Sequence, residues 1–199
     1  MPINLFRRSG NGQAERVPPG QNVTKGWPVL HVGAVPAFNK ETWDFRIFGL
    51  VDEEKRLTYD EFMALPQVTR TSDIHCVTGW SKFDNTWEGV PATAVLELVR
   101  VRPEAKHVMV HAENGYTANI PLEDFLEDDV LFAHRHNGAP LTPEHGWPLR
   151  LVLPKLYFWK SAKWVRGIEL MAENRSGYWE KRGYHMYGHP WREQRYWGD

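Results

Sequence analysis

Proline and glycine keep every apolar run of this chain short. Pro66, Pro91, Pro121 and Pro154 each stand at the edge of such a run, and Asn114-Gly115 and Asn137-Gly138 mark turns. A proline lacks a backbone donor and pushes the residue before it out of the helical region. The chain is therefore expected to fold from many brief elements.

Alternating, β-rich residues predict strands over 43–51 and 164–172; 68–75, 106–112, 116–120 and 130–136 read as further strands, and 149–153 as an apolar strand that Pro154 ends. Thr58-Tyr-Asp-Glu61 is a capping box, with Leu57 placed to staple onto Phe62, and opens a helix that stops before Pro66. Pro91 opens a second helix through Val99, and 121–126 reads as a third. Cys76-Val77-Thr78-Gly79-Trp80 reads as a loop, Trp27 to Pro36 as irregular chain across a surface, and 177–197 as loops and short turns. Strands and helices do not alternate strictly, which favours an α+β domain with mixed β-sheets and short helices. Two regions are expected: an extended N-terminal arm, 1–40, packed on the body, and a single folded domain, 41–199.

At 199 residues the chain is long enough to bury a core, and a net charge of −1 provides no field to recruit nucleic acid. Ten tryptophans, each with an indole N–H that seeks a partner, suit a rigid domain with a pocket. No run reaches 18 apolar residues, so no membrane span is expected. The Arg7-Arg8 pair is followed by no apolar stretch, and a single cysteine fits a reducing compartment, so the expected location is the cytoplasm.

Candidate chemistry gathers at three places. Cys76 ends a predicted strand beside a glycine loop, where a reactive side chain sits on rigid support; a buried, inert thiol fits the same position. The nine histidines include His134-x-His136 on one strand face, yet no zinc-ligand spacing appears. A Cys–His nucleophile pair has no local signature, and motifs for nucleotide loops and serine hydrolases are missing. Arg150, Lys160, Ser161 and Lys163 cluster beside apolar chain and form either an anion cradle or the rim of a solvated loop.

Three motifs taken together resemble a family: the single Cys76, then His145-Gly-Trp-Pro-Leu-Arg150, then Lys160-Ser-Ala-Lys163-Trp164. From about Trp43 to His185 the chain is similar to the sulfite oxidase-type molybdopterin domain of sulfite oxidases, plant nitrate reductases and a bacterial methionine-sulfoxide reductase. Small bacterial sulfite oxidase-like oxidoreductases also share the tail from Gly188 to Tyr196.

The resemblance implies a sulfite oxidase-type fold with molybdenum and molybdopterin as cofactors. It implies Cys76 as metal ligand, and His145, Arg150, Ser161, Ala162 and Lys163 as pterin-binding residues. His31 matches a further polar pterin contact, and Tyr184 matches the active-site tyrosine. The implied reaction is two-electron oxygen-atom transfer on a small sulfur oxyanion, sulfoxide or similar molecule, by a monomer served by a separate electron-transfer protein. A catalytically degenerate pterin-binding or interaction domain is the alternative.

Overall fold

The computed structural model describes residues 14–199. The first thirteen residues of the expected arm, with Arg7-Arg8, lie outside the described residues. The strands are β1 (Asn22–Val23), β2 (Asp44–Gly49), β3 (Lys55–Thr58), β4 (Val68–His75), β5 (Trp80–Pro91), β6 (His107–Ala112), β7 (Thr117–Pro121), β8 (Leu131–His136), β9 (Ala139–Pro140), β10 (Arg150–Val152) and β11 (Val165–Met171). The helices are α1 (Tyr59–Met63), α2 (Ala92–Leu96) and α3 (Leu122–Phe125). No helix among the described residues is long and apolar enough to cross a membrane.

The strands form two sheets. One has six strands in the order β1-β5-β8-β10, with β4 on β5 and β9 on β8; the other has five in the order β3-β2-β11-β6-β7. Most pairs are antiparallel, but β11 runs parallel to β2, and β1 parallel to β5. These are the mixed sheets and short helices of the expected fold class.

Alternation along the strands explains the layering. Phe132 and Leu151 face the five-stranded sheet, where they join Phe45, Ile47, Val110 and Ile168 in the main core. Phe45 and Phe132 meet across the two sheets at 5.2 Å between ring centroids. Their neighbours Leu131, Ala133 and Val152 face the other way, into a second cluster with Trp87. Around β10 the six-stranded sheet is thus buried on both faces, which is why Leu149, Leu151, Val152 and Leu153 are all apolar.

The capping box forms: the Glu61 backbone donates to Thr58 Oγ1 at 3.3 Å, and the Thr58 backbone donates to Glu61 Oε2 at 2.7 Å. Leu57 and Phe62 are both buried in the main core. The second helix stops at Leu96 rather than Val99, because the amides of Leu98 and Val99 bond three residues back in tighter turns.

The longest strand, β5, is absent from the sequence-based expectations. Asp84 adopts φ 54 within it, and the pairing of β5 with β8 shifts register between Glu88 and Gly89. These irregularities blur the alternation that marks a strand. Gly89 is required there, since a Cβ would lie 2.1 Å from the Phe132 carbonyl oxygen. Gly89→Ala is expected to destabilise the chain by about 1–3 kcal/mol, measured by denaturant unfolding.

Candidate active site

A cavity of about 370 Å³ opens between the ends of the two sheets, within the usual range for small-molecule sites. Cys76, Tyr184, His145, Arg150, Ser161, Ala162, Lys163 and His31 all line it. Residues separated by more than a hundred positions in sequence therefore meet at one site.

One wall carries Cys76, at the end of β4. The turn to β5 is closed by the Cys76 amide donating to the Trp80 carbonyl at 2.8 Å and the Gly79 amide to the Cys76 carbonyl at 3.0 Å. Gly79 takes φ 92, a left-handed conformation that glycine adopts without strain. Cys76 is 7% exposed, and its Sγ lies 3.1 Å from Thr78 Oγ1. Burial pushes the thiol pKa up, against the opposing pull of the Thr78 bonds and Arg195. His75 bonds through Nδ1 to Ser81 Oγ at 2.8 Å. Burial drives its imidazole down to about 4. A neutral histidine so engaged, beside a thiol that resists ionisation, is poorly matched to a Cys–His nucleophile pair.

The opposite wall is cationic. Arg150 is 1% exposed. Its guanidinium donates to the carbonyls of His145 at 2.8 Å and Ser161 at 3.0 Å, while Nε is buried without a partner. Phe158 lies against it at 4.3 Å, and burial pulls its pKa down to about 9, so it stays charged at neutral pH. Lys163 sits opposite Arg150 across an antiparallel bridge and donates to the Glu144 carbonyl at 2.6 Å. Burial, then Arg150, lowers Lys163 to about 7. Among the described residues no carboxylate forms an ion pair with either cation.

The loop before β10 shapes this wall. Gly146, at φ 112, lies over both cations, and a Cβ there would come within 3.0 Å of Arg150 Cβ and 3.2 Å of Lys163 Cβ. His145 stacks on Trp27 at 3.9 Å and bonds Thr142 Oγ1 at 2.9 Å; burial lowers its pKa. Ser161 Oγ accepts from the Leu153 amide at 3.0 Å, leaving its proton free to donate. His31 meets Trp164 edge-on at 5.5 Å.

Lys160 departs from the expected cradle. The turn Phe158–Lys160 rotates it into the body, where it pairs with Glu180 at 2.7 Å and donates to Asn119 and Met186. Aromatic residues fill out the cavity in its place: Trp80, Trp159, Trp179 and Tyr116 were not singled out as site residues from the sequence. Tyr116 donates to the Trp159 carbonyl at 2.5 Å, and the Trp159 indole donates to Glu180 at 2.8 Å. Trp80 Nε1, by contrast, is buried without a partner. Only Trp80 had a local signal, as the residue after Gly79. Tyr184 packs on Trp179 at 4.8 Å and Trp159 at 5.1 Å. Burial, with Tyr196 and Cys76 nearby, pushes its phenol up, so it remains a donor at neutral pH.

This arrangement suits molybdopterin: two basic side chains with no ion-pair partner among the described residues for a phosphate, orphaned donors and flat aromatic walls for a pterin, and a thiol for a soft metal. Residues 32–179 match the model of the oxidoreductase molybdopterin binding domain, and the chain belongs to that family. It is a molybdopterin-dependent oxidoreductase domain, with molybdenum carried by the pterin.

Among its relatives is YuiH of Bacillus subtilis, described as an uncharacterised oxidoreductase, which is 54% identical over 92% of this chain and 93% of its own length. The sulfite oxidase of Arabidopsis thaliana is 29% identical over 78% of this chain and 49% of its own. The chain thus spans about half of that relative. The crystal structure of the sulfane dehydrogenase SoxCD from Paracoccus pantotrophus superposes with a TM-score of 0.66 at 25% identity, covering 72% of this chain and 41% of that one.

In the cofactor-free protein Lys163 sheds its proton near pH 7, whereas the unfolded chain holds it until about pH 10.4. Stability from this group therefore rises with pH across that window, and an anion that restores the proton binds more tightly as pH falls. Sulfate, which does not titrate here, is expected to bind the cofactor-free protein more tightly as pH drops through about 7. Calorimetry on Lys163→Met should show that dependence lost.

Proposed function

We propose that this chain catalyses two-electron oxygen-atom transfer at a molybdenum ion held by the Cys76 sulfur, on a small sulfur oxyanion, sulfoxide or similar substrate. The observation that carries this reading is that the only thiol of the chain shares a cavity with two uncompensated cations. Arg150 and Lys163 would hold the phosphate of a bound molybdopterin, and Cys76 would hold its metal.

A bound molybdenum would supply the two-electron redox chemistry of the oxygen transfer. The protein supplies placement. Cys76 contributes its sulfur as a thiolate, giving up its proton on binding the metal. Arg150, Lys163 and Ser161 would grip the phosphate end, with Ala162, whose amide and carbonyl are engaged by Lys160 and Leu151, lining the same wall and His145 and His31 bordering the pterin. Gly146 keeps that wall free of side chain. Tyr184 donates a hydrogen bond to the substrate oxygen, and the aromatic walls of Trp80, Trp159 and Trp179 exclude water around it. A partner that carries electrons completes the cycle, and a cytoplasmic setting keeps Cys76 reduced.

Cys76→Ser, expressed in a host that makes molybdopterin, is expected to abolish turnover of sulfite and methionine sulfoxide while stability changes by about 1 kcal/mol or less. Retained turnover would discard the ligand assignment. A fully loaded wild type inert on every sulfite, sulfoxide and N-oxide would favour the degenerate alternative. Lys163→Ala should lower cofactor affinity by about 1–3 kcal/mol, the loss of one charge-assisted bond. Pterin fluorescence of the purified protein checks this, and unchanged pterin content would contradict the role.

A further inference from the structure

The tail from Gly188 to Tyr196 plays no part in the function proposed above, yet it reaches the wall that carries Cys76. The carbonyls of the Cys76 turn are held largely from outside it. The Gly79 carbonyl accepts from the Asn22 amide at 2.9 Å, and the Cys76 carbonyl accepts from Gln21 Nε2 at 3.0 Å. The Val77 carbonyl accepts from Arg195 Nη1 at 2.7 Å, while Arg195 Nη2 donates to the Pro19 carbonyl at 3.1 Å. One guanidinium near the end of the chain thus ties the turn to a segment near its beginning.

We propose that Arg195 is a positioning residue for the Cys76 sulfur, locking the turn between the arm and the tail so that the ligand atom is held in one place. The inference rests on the reading that Cys76 binds the metal. A turn carrying a lone metal ligand needs such support, since groups outside the ligand set orient it and tune the metal. Arginine suits the task because its planar fork serves two carbonyls at once, which a lysine cannot do in the same geometry. Gln21 backs the same turn from the arm, and its Oε1 accepts from Ser81 Oγ at 3.3 Å. The tail is itself fixed, with the amides of Arg195 and Tyr196 both donating to Asp199 Oδ2. Gly188 lies so close to Trp159 that a Cβ would meet its ring at 2.7 Å.

The test compares holoenzymes of the wild type, Arg195→Ala, Arg195→Lys and Gln21→Leu, with Thr58→Ala as a control that removes a helix cap outside the cavity. Molybdenum release into a chelator, pterin content and the electron paramagnetic resonance signal of the one-electron-reduced metal are read for each. Arg195→Ala and Gln21→Leu are expected to release molybdenum about tenfold faster, the change that follows loss of one hydrogen bond to a charged group or its equivalent. Both should alter the resonance signal at wild-type pterin content, with Arg195→Lys intermediate and Thr58→Ala unchanged. Should Arg195→Ala fail to fold, Arg195→Lys, which keeps the charge but not the fork, carries the test of Arg195. Wild-type release and signal in the variants that fold would overturn the proposal, as would equal effects from Thr58→Ala. A Cys76→Ser protein with a wild-type signal would instead remove the ligand reading on which it rests.

Discussion

A buried arginine, Arg150, and a half-buried lysine, Lys163, face one another with no carboxylate in ion-pair contact among the described residues, and the site is organised around that imbalance. Like charges opposed across a bridge repel, and a buried guanidinium with an unpartnered Nε carries a desolvation cost. Arg150 and Lys163 hold that arrangement where β10 begins and β11 is about to begin. The fold tolerates it because β8 and β10 beside it bury their side chains on both faces of the sheet. An anion placed between them would relieve the repulsion, which is the physical basis of the phosphate-binding role proposed for this wall.

The aromatic content serves the same end. Trp27 stacks on His145 and stands 5.3 Å from the Arg150 guanidinium, so it fixes the histidine while walling in the charge. Trp159 is held by Glu180, which also neutralises Lys160. That ion pair is satisfied by protein and belongs to the framework, whereas Lys163, three positions on, bonds only a carbonyl among its described contacts and belongs to the site. The contrast between these two lysines separates, within one loop, a charge neutralised within the framework from one that faces the cavity.

Much of this was legible in the sequence, and the parts that were not have physical reasons. Alternation or a β-rich run marked most strands because each is half or fully buried, and the Thr58 cap showed where a helix opens. The strand β5 escaped because a positive φ at Asp84 and a register shift at Gly89 break its alternation. The motif around His145 and Arg150 pointed to a cofactor wall, but local spacing could not tell which way Lys160 turns, since its partner Glu180 lies in another segment. Tyr116 carries no local signature: it reaches the cavity only because the five-stranded sheet ends there. The aromatic lining is a tertiary property, and ten tryptophans announced a pocket without saying which would form it.

The claim at the centre is that the Cys76 sulfur is bonded to molybdenum. X-ray absorption at the molybdenum edge of the cofactor-loaded protein measures that directly. The account predicts one sulfur neighbour more than the pterin dithiolene supplies, lost in Cys76→Ser. A first shell containing only dithiolene sulfur, identical in the two proteins, would contradict it.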